Sequence, residues 1–243
     1  MRRSAILIAA SGADFKQIES ARALWRAFIK SPVGGGWYED EIKCPSPTAL
    51  DVLGAVESVA HSDYSIVVFI GHGAMVKEGR PWKETRIELN DKETLLADRQ
   101  LNTGTPRLTL VLDCCSDLLW PTESRCLSEI EQFGSTGTQA TNVRGVFEAN
   151  LLRAEQGITK IYPTSENSSS FSRFLITGAC EWSKNHNPES VLSWSDAVTL
   201  GQKKMESEHI STGQGFVYQG GRRLRHFPMA VSLFDAAEKN DEE

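Results

Sequence analysis

"LTLVLDCCSD", Leu108 to Asp117, is an unbroken apolar run that ends in a carboxylate and two adjacent thiols. It lacks the alternation of a strand with one wet face. Continuous apolar strands are buried on both sides, as parallel strands beneath helices are. Two runs of the same kind precede it, "AILIAA" (Ala5 to Ala10) and "SIVVFI" (Ser65 to Ile70). All three read as central strands of one sheet.

The segments between and after these runs supply helices. From Ile18 onward, Ala21, Trp25, Phe28 and Ile29 fall on one helical face. "VGGGWYEDEIKC" reads as a turn and a short strand ending near Cys44. In "SPTALDVLGAVESVA", Ser46 suits the N-cap and Pro47 the first helical position, with Val52, Val56 and Val59 on one stripe. Gly134 to Asn142 is small and polar, the composition of a loop. "RGVFEANLLRAEQG" then reads as a helix and "ITKIY" (Ile158 to Tyr162) as a strand. "FSRFLITGACEW" is helical, with Phe171, Phe174, Leu175 and Trp182 on one face, and a further helix is expected from Ser190 to about Met205. "GFVYQGGRRLRHFPMAVSLF" reads as a closing strand, a turn at Gly220 and Gly221, and a last apolar segment. This βαβα order predicts an α/β architecture, one open and mostly parallel sheet with helices on both faces.

Composition narrows the function classes. A length of 243 residues, 40% hydrophobic and 24% charged, is that of an ordinary globular chain. A formal charge of -6 argues against general nucleic-acid binding. No apolar run approaches the roughly 20 residues needed to span a bilayer, so no membrane association is expected. "MRRSAILIAASG" is too brief for a secretory apolar region and reads as the first strand. Five cysteines without a repeated spacing fit a reducing compartment, and a cytoplasmic location is expected.

In open parallel sheets, polar sites collect outside the carboxyl ends of the strands. Two strands end here in reactive residues: "SIVVFI" runs into "GHG", displaying His72, and "LTLVLD" runs into "CCSD". A buried strand end that happens to contain cysteine is one reading. A zinc site built from His72, Cys114, Cys115 and Cys126 is a second, although no CxxC pair supports it; a vicinal disulfide is its redox variant. The third is a nucleophile. If the strands are neighbours, about 4.8 Å apart, the imidazole meets a thiol, takes or holds its proton, and the thiolate attacks a carbonyl. Gly73, lacking a side chain, then lets its N–H approach a substrate oxygen.

"YSIVVFIGHG" followed by "LTLVLDCCSD" resembles the caspase and metacaspase superfamily of cysteine peptidases, whose strands end in S-G-H-G and D-x-C-H-S-G. The likeness extends to "IYPTSENSSSFSRFLITGA" and, among small bacterial members, to "GGRRLRHFPMAV". It implies a caspase-like six-stranded sheet within a single domain, residues 1–236, followed by an acidic tail, 237–243. A large-subunit-like part to about 125, a flexible loop over about 126–144 and a small-subunit-like part over 145–236 would compose that domain. It further implies His72 as catalytic base, Cys115 as nucleophile, and the N–H groups of Gly73 and Cys115 as the oxyanion hole. Asp113, two residues before Cys115, matches the family aspartate that binds a basic P1 side chain, so Arg or Lys is expected at P1. Asp14 is a second candidate wall of that pocket, or equally the cap of the following helix. Ser165 and Ser168 are candidates to pair with substrate backbone by strand addition, or to form a polar helix-capping loop.

Ser116, Asp117 and Leu118 replace the family's H-S-G, and Ile70 stands where serine is frequent. No cluster of aspartates matches that of calcium-activated metacaspases, so no cofactor or metal is expected. Arg125 and Arg144 flank the loop and would be self-cleavage sites for a protease with basic P1. Arg222, Arg223, Arg225 and His226 form a basic cluster that reads either as a solvated turn or as an attractor of acidic partners. The resemblance implies a protein substrate, such as a gasdermin or an inhibitor in bacterial anti-phage defence. The rival reading is a catalytically silent α/β module that binds a peptide or protein.

Overall fold

The computed structural model describes residues 1–12, 15–76, 84–114, 139–162, 171–207, 217–219 and 226–233. The three apolar runs form strands β1 (Arg3–Ala9), β3 (Tyr64–Val76) and β6 (Arg107–Cys114), lying side by side and parallel. β2 (Ile42–Lys43) pairs with the outer edge of β1, and β7 (Gly157–Tyr162) with β6, both parallel. β9 (Val217–Gln219) closes the row antiparallel to β7. The order β2-β1-β3-β6-β7-β9 gives the expected six strands and the expected open, mostly parallel sheet.

Among the described residues two more strands raise the sheet to eight. Nothing in the sequence reading assigned an element to the segment between His72 and Leu108. This segment holds an antiparallel hairpin, β4 (Glu84–Asn90) and β5 (Glu93–Leu96), followed by one helical turn, α3 (Ala97–Gln100). β4 alternates strictly, with Thr85, Ile87 and Leu89 buried and Arg86 and Glu88 exposed. That period of two sets it against the core with one wet face. Asn90 makes the turn: its Oδ1 accepts from the backbone N–H of Lys92 (2.9 Å) and Glu93 (3.0 Å).

The central strands are covered on both faces, for Ala5, Ile6, Leu7, Ile8 and Ala9 are each 0% exposed. α1 (Phe15–Lys30) buries Ile18, Ala21, Trp25, Phe28 and Ile29, the face read from its spacing. α2 (Ala49–Ser58) starts two residues later than expected. Thr48, rather than Ser46, is its N-cap and accepts from Asp51 N at 3.2 Å. α4 (Gln139–Arg153) starts five residues before the expected Arg144, taking 139–142 from the expected loop, and ends at Arg153 with Gly157 already in β7. α5 (Phe171–Ser183) covers the positions expected of it. The helix expected from Ser190 begins at Trp194. Val191–Ser193 is instead β8, which pairs with β10 (Pro228–Val231) in a separate two-stranded sheet ahead of α6 (Trp194–Ser207). Trp194 stacks on Trp25 with ring centroids 6.0 Å apart, so α6 and α1 meet in the core. The turn expected at Gly220 and Gly221 lies outside the described residues, as do the tail and positions 126–138 of the loop expected over about 126–144; the remaining positions, 139–144, are helical in α4. No helix among the described residues is long and apolar enough to cross a membrane.

Candidate active site

β1 and β3 bracket the point where strand order reverses, because the chain leaves β1 for β2 on one side and returns to β3 on the other. Crevices form at the carboxyl ends of such strands. Here β1 and β3 come very close, and a Cβ on Gly71 would overlap the Cβ of Ala10. The chain after β1 is tied to the hairpin, since Ser11 N donates to Leu89 O at 2.8 Å.

β3 changes partner within this crevice. As far as Gly71 it follows β6 in parallel, with Ile70 level with Asp113 and Gly71 with Cys114. From His72 onward it pairs antiparallel with β4, His72 opposite Glu88 and Gly73 opposite Ile87. His72 is therefore the first residue beyond the parallel sheet. It is half-buried, and Gly73 is exposed.

Gly73 is forced by its surroundings. A Cβ there would lie 2.8 Å from both the Sγ of Cys114 and the backbone oxygen of Arg86. The Cys114 sulfur thus packs on the backbone immediately after His72. Burial, and then the charge of Asp113, push this thiol well above the ordinary cysteine range. Cys114 stays a thiol at neutral pH and is a poor nucleophile.

Asp113 is 2% exposed. Its Oδ2 accepts from the backbone N–H of Ser172 at 3.2 Å and from the Ser172 hydroxyl. That hydroxyl in turn accepts from Trp25 Nε1 at 2.6 Å. A carboxylate at the first turn of α5 meets unpaired N–H groups and the positive end of the helix dipole. Asp113 consequently fixes α5, and through it α1, to the end of β6. Ser172 had not been singled out in the sequence; its polarity in the first turn of a helix was the available signal.

Cys115, Asp14, Ser165 and Ser168 lie outside the described residues, as do Arg125, Cys126 and the arginines of the 222–225 cluster. His226 is exposed just before the buried Phe227. Arg144 lies within α4, not in a loop. Its guanidinium contacts both oxygens of Glu41 at 2.9 and 2.7 Å and Glu148 at 3.0 Å. Among the described residues no group of three His, Cys, Asp or Glu side chains is placed to hold a metal ion.

No family model matches the chain, and no curated protein does. Among solved structures it is similar to the Drosophila initiator caspase Dronc, at 11% identity and a TM-score of 0.47 over 96% of this chain and 84% of that one. So distant a likeness lends no weight to any activity.

Proposed function

We propose that the chain is a caspase-like cysteine endopeptidase with His72 as general base and Cys115 as nucleophile. The register of two adjacent strands supports this reading most directly: Gly71 is level with Cys114. His72 and Cys115 are the next residues in sequence, and neighbouring strands lie about 4.8 Å apart. Cys114 itself is the weaker candidate, because its thiol is enclosed and held protonated.

In this mechanism the imidazole of His72 takes the Cys115 proton, and the thiolate sulfur bonds to the scissile carbonyl carbon. The carbonyl oxygen becomes an oxyanion held by the N–H groups of Gly73 and Cys115. The C–N bond then breaks as the imidazolium returns its proton to the leaving amine. Water, deprotonated by the same imidazole, hydrolyses the thioester. Asp113 at the floor of the pocket favours Arg or Lys at P1, sharing its carboxylate with the first turn of α5. The substrate in this reading is a protein, and a role in defence against phage is one setting for it.

An acyloxymethyl ketone carrying Arg at P1 tests the assignment. Labelling is expected to vanish in Cys115→Ala, to slow sharply in His72→Ala and to persist in Cys114→Ala. Equal labelling of Cys115→Ala and the native chain would overturn the peptidase and favour the silent binding module. Fluorogenic peptides varied at P1 test the pocket. Arg and Lys should exceed Asp by at least about tenfold, and the opposite order would remove Asp113 from it.

A further inference from the structure

Antiparallel register puts Glu88 of β4 directly opposite His72 of β3. Residues so opposed share one face of the sheet, with Cβ atoms about 4.5–5.5 Å apart. Glu88 belongs to the wet face of the hairpin, and no hydrogen bond or ion pair engages its carboxylate among the described residues. Two neighbouring acids of the hairpin strands are otherwise occupied. Glu84 pairs with Arg99 at 2.5 Å, and Glu93 accepts from Asn90 at 2.8 Å.

We propose that Glu88 is a positioning residue for His72, a carboxylate that orients the imidazole and stabilises its protonated form when the thiol proton arrives. The inference rests on the peptidase reading and adds a third member to its dyad. An imidazole that must accept a proton during reaction gains from a fixed carboxylate, which selects its tautomer and lowers the cost of the cation. Both residues sit on strands whose register sets them opposite one another. No hydrogen bond or ion pair joins the two side chains in this structure, so the contact needs only side-chain rotation and no loop closure.

Among the described residues, the other charges and titratable groups near the pair are these. Arg86 lies two residues from Glu88 on the same face, opposite Ala74, and opposes the effect of Glu88 on the imidazole. On β5, uncharged Thr94 faces Glu88 and Leu96 faces Arg86. On β6, Cys114 packs on Gly73, while Asp113 is turned to Ser172.

The test compares the whole native chain with Glu88→Gln, Glu88→Asp and Arg86→Gln. Two readouts are taken on the same proteins, kcat and KM against pH, and the pH dependence of carbethoxylation of His72 read by peptide mass spectrometry. Only the neutral imidazole reacts with diethyl pyrocarbonate, so the second readout needs no substrate turnover. In Glu88→Gln, kcat should fall on the order of tenfold with KM nearly unchanged. Carbethoxylation of His72 at a fixed pH should be faster in Glu88→Gln, because the imidazole has lost a neighbouring anion. Glu88→Asp should stay close to the native profile, and Arg86→Gln should shift in the opposite direction. High salt should shrink these differences. If the native chain turns over peptide while Glu88→Gln matches it in kcat and in both profiles, the inference is overturned and the peptidase stands. If no variant turns over peptide but the carbethoxylation shift appears, the pairing stands and the peptidase falls.

Discussion

Gly73 shows how little room the chain leaves beside His72. One added methyl group would meet a sulfur and a backbone oxygen, each at 2.8 Å. The sulfur belongs to a side chain that can be trimmed, but the oxygen of Arg86 belongs to the β4 ladder and cannot yield without disturbing it. Gly73→Ala is expected to cost about 1–3 kcal/mol of stability and to lower the proposed peptidase activity on the order of 100-fold, since His72 is the adjoining residue. Adding Cys114→Ala should recover only a minor part of either loss. Full recovery, measured by urea unfolding and peptide turnover, would show that the β4 backbone is not the obstacle. Cys114 also carries a chemical expectation. Its thiol is pushed up by burial beside Asp113, whereas Cys44 is exposed. With iodoacetamide at pH 8, Cys44 should be alkylated at least about tenfold faster than Cys114. Equal rates in timed peptide mass spectra would contradict the enclosed environment.

At the scale of elements, the bond between Asp113 and Ser172 joins the end of β6 to the start of α5. Removing the carboxylate by Asp113→Ala leaves a buried N–H and hydroxyl unsatisfied and should cost about 2–4 kcal/mol. Ser172→Ala should cost about 1–2 kcal/mol, and the double variant should cost clearly less than the sum. Additive losses in urea unfolding would mean that the two groups act separately. The same scale shows which elements the sequence made legible. β1, β3 and β6 were readable because double-sided burial demands unbroken apolar runs, which little else in a short segment produces. α1 was readable because one stripe of large side chains must face the sheet. The β4–β5 hairpin was harder, since its turn carries no glycine and relies on the side chain of Asn90. Its alternation of Thr85, Ile87 and Leu89 was nevertheless in plain view. β8 was absorbed into the following helix because its pairing with β10 depends on a segment some 35 residues downstream. The placement of His72, Gly73 and Asp113 at the ends of β3 and β6 was legible, because each directly follows or closes an apolar run. The bond of Ser172 to Asp113 and the place of Glu88 opposite His72 could not be read from local spacing, because both follow only from tertiary register.

For the molecule as a whole, the question is what fastens the part after residue 138 to the part before residue 115. Arg3 on β1 is 3% exposed and reaches Glu41 at 3.3 Å and Glu148 at 3.4 Å, while Arg144 of α4 grips Glu41 from the other side. Burial alone would raise the Glu41 carboxyl. Hydrogen bonds from Arg144 and the Tyr38 backbone, with the charges of both arginines, outweigh it and leave the group below its usual range. A carboxylate depressed in the folded state stabilises the fold above its unfolded pKa, and that contribution is lost as pH falls through the folded value. Glu41→Gln should therefore cost about 2 kcal/mol at pH 7 and flatten the loss of stability below about pH 4; an unchanged acid slope would exclude Glu41 as its source. The same cluster speaks against Arg144 as a processing site. Its side chain is 19% exposed and lies on the ring of Tyr38 at 4.0 Å, so a peptidase would have to unwind α4 to seat it. Incubated native protein should show no intact-mass product ending at Arg144, and such a product would refute this. Other contacts bridge the two parts as well. β6 pairs with β7 from Arg107 opposite Gly157 to Val111 opposite Ile161, Trp25 donates to Ser172, and Val231 N donates to Val33 O at 2.8 Å. A chain cut at an engineered protease site within residues 126–137 should thus elute as one particle in native buffer and separate only in denaturant. Fragments that part on size exclusion without denaturant would mean that the covalent link, rather than the Arg3 cluster and the β6–β7 ladder, holds the molecule together.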